Sequence, residues 1–426
     1  MDAIRYIHAA DLHLDTPFQG LSRETAQGGH LARLLRNATF TALERLFGFC
    51  EAEKPDFLVL AGDIYNQENY SVKAQLRLRD GCERLNRLGI RVFLAHGNHD
   101  PLDSRLNAVE WPDNVTIFGP EPERHLLEKD GRPLAVIHGI SHARSREGRN
   151  LARFFQRDAR YDCFQLGVLH CTVEGESKTD RYAPCALDDL KSVGLDAWAL
   201  GHVHERRMLS EAPFIAYPGS TQGLHVNEPG PRGCLLVTAE PRGGSYVCDA
   251  GFQLLGPVQW EKLDLNLDGV SHLEEVERRL NQCLEAAAQA AAPACEAIMA
   301  RVTLSGRTTL DAMLHDAANQ EDLAERLRHL SSGMPGVWLK DLRVETRPFT
   351  ERSEYLQRED LLGETMRLIE RMRGSREALQ KVAGPALAPL VEHTRLRKAL
   401  TPPDDAQMHA LLQEAERLCV DLLEVR

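Results

Sequence analysis

Arg91-Val92-Phe93-Leu94-Ala95-His96-Gly97-Asn98-His99-Asp100 joins two kinds of chemistry within one short stretch. A brief apolar run bounded by polar punctuation reads as a buried strand. It ends in imidazole, amide and carboxylate groups, at the carboxyl end of the strand, where open α/β sheets hold their ligands. The pattern recurs outward in both directions. Runs at Arg5–Ala10, Phe57–Ala61, Leu134–His138, Gln165–Leu169, Ala197–Leu200 and Phe214–Tyr217 read as strands. After them come Asp11-Leu12-His13, Gly62-Asp63, Gly139-Ile140-Ser141-His142, His170, Gly201-His202-Val203-His204 and Pro218-Gly219-Ser220. Helical patterns at His30–Glu51 and Ser71–Leu88 supply crossovers, the second with Leu76, Leu78, Leu85 and Leu88 as inward positions. Alternation of this kind up to about Phe252 predicts an α/β layer fold with one polar rim.

The 426 residues leave room for about three domains, and 43% hydrophobic with 27% charged residues is ordinary globular composition. The net charge of -12 excludes a globally basic nucleic-acid-binding chain, so any DNA contact must be local. Ten cysteines without a Cys-x-x-Cys pair exclude zinc ribbons and thioredoxin-like chemistry. The start of the chain carries no export signal, and Glu285, Gln289, Pro293 and Glu296 break the Ala-rich stretch Cys283–Ala300, so a soluble cytoplasmic protein is expected. The expected division is a core at 1–255, a small α+β domain at 256–347 and a helical region at 348–426. The middle domain reads as strand Trp260–Leu267, helix Ser271–Ala291, strand Ile298–Leu304, helix Glu321–Ser331 and strand Val337–Val344. Breaks are expected at Gly384-Pro385 and Thr401-Pro402-Pro403. The last helix, with Thr401 as N-cap and Pro402 at N1, carries Met408, Leu411, Leu412, Ala415, Leu418, Leu422 and Val425 as one apolar face. That face either packs on its own domain or docks a partner.

The rim offers seven donors: Asp11, His13, Asp63, Asn98, His170, His202 and His204. If the chain leaves each strand extended, Asp11/His13 and His202/His204 each present a pair on one side. Seven exceed the need of one catalytic zinc and suit two metals sharing a bridging carboxylate, for which Asp63 is the natural choice. Mixed nitrogen and oxygen donors favour Mn, with Fe or Zn as alternatives, over Mg or Ca. Two divalent ions, two aspartates and a bridging hydroxide leave a net positive centre suited to an anionic phosphoester. Asn98 adds a donor without adding negative charge. His99 is cast as the acid that protonates the leaving oxygen, with Asp100 orienting it.

In order and spacing, Asp11-Leu12-His13, Gly62-Asp63, Gly97-Asn98-His99-Asp100, His170 and Gly201-His202-Val203-His204 resemble the calcineurin-like metallophosphoesterase superfamily. That resemblance implies a two-sheet β-sandwich flanked by helices. It implies Asp11, His13, Asp63 and His204 on one metal, Asp63, Asn98, His170 and His202 on the other, and a catalytic His99. The stretches Asp11–Leu21 and Tyr217–Glu228 look like the SbcD-type DNA repair exonucleases, especially their YhaO-type branch, and the segment after Trp260 resembles the cap-like domain found there. Such nucleases work beside an SMC-like coiled-coil ATPase, which would give the C-terminal helices a docking role, and a homodimer is compatible with this plan. Many relatives have a histidine three residues after the bridging aspartate; this chain has Asn66.

For DNA, Arg149, Arg153 and Arg157, four residues apart, would line one helix face and meet successive phosphates. The same arginines could equally be a solvated face diluted by Glu147 and Asp158. His142, His225 and His96 lie near the rim as candidate substrate contacts, whereas His8 and His138 read as core. The expected activity is hydrolysis of DNA by attack of the bridging hydroxide with His99 assisting. A phosphatase or cyclic-nucleotide phosphodiesterase, and a non-catalytic scaffold for an ATPase, are the alternatives.

Overall fold

A computed structural model describes residues 3–18, 29–66, 71–104, 109–174, 181–291, 294–332, 336–391 and 403–423. Twelve strands build the first part: β1 (Ile4–Ala9), β2 (Phe57–Ala61), β3 (Arg91–Ala95), β4 (Val115–Ile117), β5 (Glu123–Lys129), β6 (Arg132–Gly139), β7 (Phe164–His170), β8 (Ala197–Gly201), β9 (Arg207–Glu211), β10 (Phe214–Tyr217), β11 (Gly233–Arg242) and β12 (Ser245–Leu254). They form two six-stranded sheets, ordered β12-β11-β1-β2-β3-β4 and β5-β6-β7-β8-β10-β9. Each has a parallel centre, β1-β2-β3-β4 in one and β6-β7-β8-β10 in the other. The expected mixed α/β architecture with two sheets flanked by helices is therefore correct.

Alternation along the strands explains the layers, because successive side chains point to opposite faces. Tyr6, Phe57, Val59, Phe93, Leu166, Val168, Ala199 and Phe214 share the core between the sheets. Tyr6 stacks on Phe57 at 5.1 Å, and Phe57 meets Phe93 edge-on at 5.8 Å. The intervening Ile7, Leu58, Leu60, Val92 and Leu94 turn to the helices Gly29–Glu53 and Val72–Arg87. Ser71 caps the second helix by accepting a hydrogen bond from Ala74 N. Of its four expected inward leucines, Leu78 and Leu85 are buried, but Leu76 and Leu88 are 37% and 48% exposed. Leu76 lies two residues from Leu78 and hence on another side of the helix, and Leu88 is already the C-cap.

The β11–β12 hairpin escaped the sequence reading. Gly243 and Gly244, at φ +62° and +87°, form its two-residue turn, and β11 then pairs antiparallel with β1. His8 and His138 are buried as expected; His8 Nε2 faces Leu200 O at 3.0 Å and His138 Nε2 faces Gln165 Oε1 at 2.9 Å.

The chain divides into two compact units, one of Met1–Leu263, Asn281–Val302 and Arg328–Asp341, the other of Asp264–Leu280, Thr303–Leu327 and Leu342–Arg426. A three-stranded sheet joins Val258–Asn266, Ala297–Ser305 and Val337–Val344 in that order. In the second unit, Leu412 and Val420 of helix Asp405–Leu423 are buried in a cluster with Leu362, Met366 and Ile369. The expected single apolar face splits: Leu411, Leu418 and Leu422 are 49%, 46% and 81% exposed. The stripe was too wide for one contact, so Met408, Leu412 and Val420 pack while the other side faces outward. Thr401, Pro402 and Val425 lie outside the described residues. The break expected at Gly384-Pro385 is not formed, since helix Arg376–Val391 contains both Pro385 and Pro389. The carbonyls that these prolines leave without a donor belong to Lys381 and Pro385, both exposed, where water can satisfy them.

Candidate metal centre

The loop after β1 lies along the loop after β2, with Asp11 N donating to Gly62 O, His13 N to Asp63 O and Leu14 N to Ile64 O, each at 3.0 Å. Asp11, His13, Asp63 and His202 all have positive φ, at 51°, 43°, 51° and 102°. Such backbone costs energy in non-glycine residues and gathers at functional sites. It also corrects the expected geometry, because the chain does not leave these strands extended. Asp11 and His13 still converge, through a left-handed turn, whereas His202 and His204 diverge. Among the described residues, two groups have donor atoms within 4.8 Å of one another: Asp11, His13 and His204, and Asp63, His170 and His202.

Asp63 connects the groups. Its Oδ2 lies 3.2 Å from His170 Nε2 and 4.0 Å from His13 Nε2, while its Oδ1 accepts from His99 N at 2.8 Å. Asn98 Oδ1 lies 3.1 Å from His170 Nε2. His204 Nε2 lies 3.1 Å from His13 Nε2 and 4.0 Å from Asp11 Oδ1. Both Asp11 oxygens accept from His202 N at 3.1 Å. The glycines of the motifs make this crowding feasible. A Cβ at Gly97 would stand 2.3 Å from Asp63 Oδ1, and one at Gly201 would stand 1.8 Å from Ala61 O.

The electrostatics fit divalent cations. Burial pushes the His13 imidazole down to about 3, which leaves it neutral with a lone pair to give. Burial also works against charge on His170 and His204, yet Asp63 lifts His170 to about 9, and Glu228 with Asp11 lifts His204 to about 9. The carboxylates of Asp63, Asp11 and Glu228 thus favour positive charge at these two places in the pocket. His13 Nε2 and His204 Nε2 face each other at 3.1 Å with carboxylates behind them, a donor set that matches a shared cation. His170 Nδ1 is held by Ala61 O at 3.0 Å and His204 Nδ1 by Glu228 Oε1 at 2.5 Å, so both Nε2 atoms point into the centre.

All seven expected donors therefore come together, but three other expectations need correction, those for Asp100, His142 and the arginines. Asp100 does not hold His99. Its buried carboxylate accepts from Ile64 N and Gly97 N at 2.9 and 2.8 Å and meets His96 Nδ1 at 3.1 Å, so it fixes the loop while His99 stays exposed. The ring of His99 sits edge-on to His13, with centroids 5.1 Å apart. His142 is fully buried and lies 2.7 Å from His170 O, out of reach of a substrate and behind a rim residue. By contrast, His225 is partly exposed, in the loop that carries Glu228, with its Nδ1 accepting from Asn227 N. Finally, Arg149, Arg153 and Arg157 share no helix face. The segment contains only the short 3₁₀ turn Leu151–Phe154, and the arginines pair with Glu147, Asp189 and Asp196 at 2.8, 3.2 and 3.0 Å.

Glu228 is the functional residue that sequence reasoning missed. It lies within the quoted stretch Tyr217–Glu228, yet no local spacing ties it to a histidine 24 residues earlier.

Comparison with known proteins agrees with this geometry. Residues 4–206 match the calcineurin-like phosphoesterase family, and residues 260–347 match the middle domain of metallophosphoesterase YhaO. The chain is 34% identical to the uncharacterized metallophosphoesterase YhaO of Bacillus subtilis, over 76% of this chain and 79% of that protein. It is 24% identical to the DNA double-strand break repair protein Mre11 of Aeropyrum pernix, over 53% of this chain and 55% of the relative. It is 25% identical to a component of the SbcCD nuclease of Staphylococcus epidermidis, over 51% of this chain and 61% of the relative. Among the described residues, no helix is long and apolar enough to cross a membrane.

Proposed function

The chain belongs to the YhaO-type calcineurin-like metallophosphoesterases, and on that premise we propose that it is a two-metal phosphodiesterase acting on DNA. The observation that carries the reading is the position of Asp63 Oδ2 between His170 and His13, one carboxylate oxygen serving two groups of donors. In this reading Asp11, His13, Asp63 and His204 hold one ion, and Asp63, Asn98, His170 and His202 hold the other. The mixed donors favour manganese over magnesium or calcium, with iron or zinc as alternatives. Two such ions supply Lewis-acid charge for the phosphoryl oxygens and lower the pKa of water enough for attack on phosphorus.

The protein's own groups do the rest. Asp63 Oδ1 holds the backbone of His99, which keeps that exposed imidazole beside the centre, where it can give a proton to the departing oxygen. Asn98 donates without adding charge, which preserves the pull on an anionic diester. DNA as substrate draws support from relatives named as a nuclease component and a break-repair protein. The outward leucines of helix Asp405–Leu423 offer a face for an SMC-like ATPase partner. A nuclease core at 1–255, a cap-like domain at 256–347, a docking region at 348–426 and a cytoplasmic location complete the proposal.

The test is hydrolysis by the purified chain with Mn²⁺ of a linear duplex, a single strand and a small phosphodiester, beside Asp63→Asn. Polynucleotide cleavage that disappears in Asp63→Asn is expected. Cleavage of the small ester alone would transfer the reading to a phosphatase-like activity, and no cleavage of any substrate would reduce the chain to a scaffold.

A further inference from the structure

The two groups of donors are secured by different means. His170 is fully buried, and its Nδ1 is held by a main-chain carbonyl, Ala61 O, at 3.0 Å. The side chain of His204 is 33% exposed, and its Nδ1 is held by a side chain, Glu228 Oε1, at 2.5 Å. Glu228 is itself fixed: its Oε2 accepts from Leu224 N at 2.7 Å and its N–H donates to His225 O at 2.8 Å. The main chain at His204 is anchored separately, because His204 O accepts from Ser220 N at 3.0 Å and from the Arg232 guanidinium. What Glu228 controls is therefore the imidazole rather than the backbone. The remaining histidine of that group gives no equivalent support, since His13 Nδ1 is buried and has no hydrogen-bond partner among the described residues.

We propose that Glu228 is the positioning residue that decides whether the Asp11/His13/His204 group retains its ion, and that this group is the weaker and more readily exchanged of the two. The inference rests on the two-metal reading above. A carboxylate only accepts hydrogen bonds, so Nδ1 of His204 keeps a proton, and it is Nε2, facing Asp11 and His13, that gives up its proton and offers a lone pair when a cation binds. A glutamine at 228 can satisfy Leu224 N with its oxygen and then turn its NH₂ toward Nδ1. That contact favours the opposite tautomer, in which Nε2 carries the proton and cannot bind a metal.

Metal-free full-length protein titrated with Mn²⁺ in a calorimeter, with bound metal counted after desalting, tests this without any substrate. The wild type is expected to take two ions with two affinities. Glu228→Gln should weaken the looser step by about 10–100-fold, the usual cost of losing such an outer partner, and leave the tighter step unchanged. In a His204→Ala background the same substitution should change nothing further, whereas a loop that merely needs Glu228 for its fold would continue to weaken binding. A wild-type titration by Glu228→Gln, equal losses at both steps, or a full effect without His204 would each overturn the proposal. If Glu228→Gln lowers the melting temperature of the metal-free protein, Glu228→Asp is read instead. It keeps an acceptor on the loop, so a retained second ion is expected and loss of both ions overturns the inference. A wild type that binds no Mn²⁺ would instead remove the two-metal reading itself, a result distinct from two bound ions with Glu228 indifferent.

Discussion

The strand-end rim and the arginine segment 144–160 both place chemically eloquent side chains at regular places in the sequence, yet only the rim brings them together. At the rim, each donor ends or follows a strand whose partners fix it, as β1 to β2, β2 to β3 and β7 to β8 pair in parallel register. Parallel neighbours end side by side, so residues far apart in sequence meet at one edge. In the arginine segment nothing external fixes a helix, and a spacing of four has geometric meaning only on a helix. Arg149, Arg153 and Arg157 instead pair with separate acids, and Arg160 closes on Asp158 at 2.6 Å. Spacing carries information only where another force has already chosen the secondary structure.

The largest effect should come from within the rim. His99→Ala is expected to lower turnover about 10²–10⁴-fold, the usual contribution of a positioned general acid, with metal content unchanged. Hydrolysis and bound metal measured on one preparation decide it; loss of metal as well would make His99 part of the rim's framework. Next in size is Gly201→Ala, which pits the register of β8 against Ala61 O, where a Cβ has only 1.8 Å. Backbone cannot yield as a flexible side chain can, so denaturant unfolding should report a loss of about 3 kcal/mol. An unchanged midpoint would mean that the two sheets approach less rigidly than the parallel-edge argument requires.

A third and smaller effect contrasts the rim with the core beneath it. Burial pushes His138 down to about 4 and His8 down to about 3, from an ordinary 6.5. The unfolded chain therefore binds more protons than the folded one below pH about 6.5, so stability must fall as the pH drops through that window. Each histidine contributes a slope of up to about 1.4 kcal/mol per pH unit. His138→Gln should remove one of these contributions, read as a flatter unfolding midpoint against pH between about 4 and 6.5. An unaltered slope would show that His138 keeps its proton when folded.

The same distinction explains how much the sequence revealed. Apart from β4, a three-residue edge strand that the sequence reading did not mark, the parallel strands were legible within a residue or two because each is a short apolar run cut off by polar residues; β2, β3 and β10 match to the residue. All seven rim donors followed from those cuts. The edge strands β5 and β9 were not legible, since both are largely solvent-facing and polar, as in Arg207-Met208-Leu209-Ser210-Glu211. The partners of the rim were hidden for a different reason. Glu228 reaches His204, and Asp100 turns to His96 rather than to its neighbour His99, through contacts that only the folded loops create. Sequence adjacency misassigned Asp100, because a residue's nearest neighbour in the chain is seldom its hydrogen-bond partner in a tight loop.

The smallest prediction bears directly on the arginines. Were they a phosphate-tracking face, neutralising them together would weaken DNA binding and reduce its salt slope by about one for each lost phosphate contact. The structure gives Arg157 other work: it donates to Asp196 at 3.0 Å and to Gly194 O at 2.9 Å, which ties the segment to the loop before β8. Arg157→Gln should therefore lower stability by about 1 kcal/mol, the upper range for a partly exposed pair. The triple replacement of Arg149, Arg153 and Arg157 by Gln should leave the salt dependence of DNA binding as it is in the wild type. A reduced slope would show that these guanidiniums exchange their acids for phosphates when DNA arrives, and the two regions would then differ only in which partner holds them in the absence of substrate.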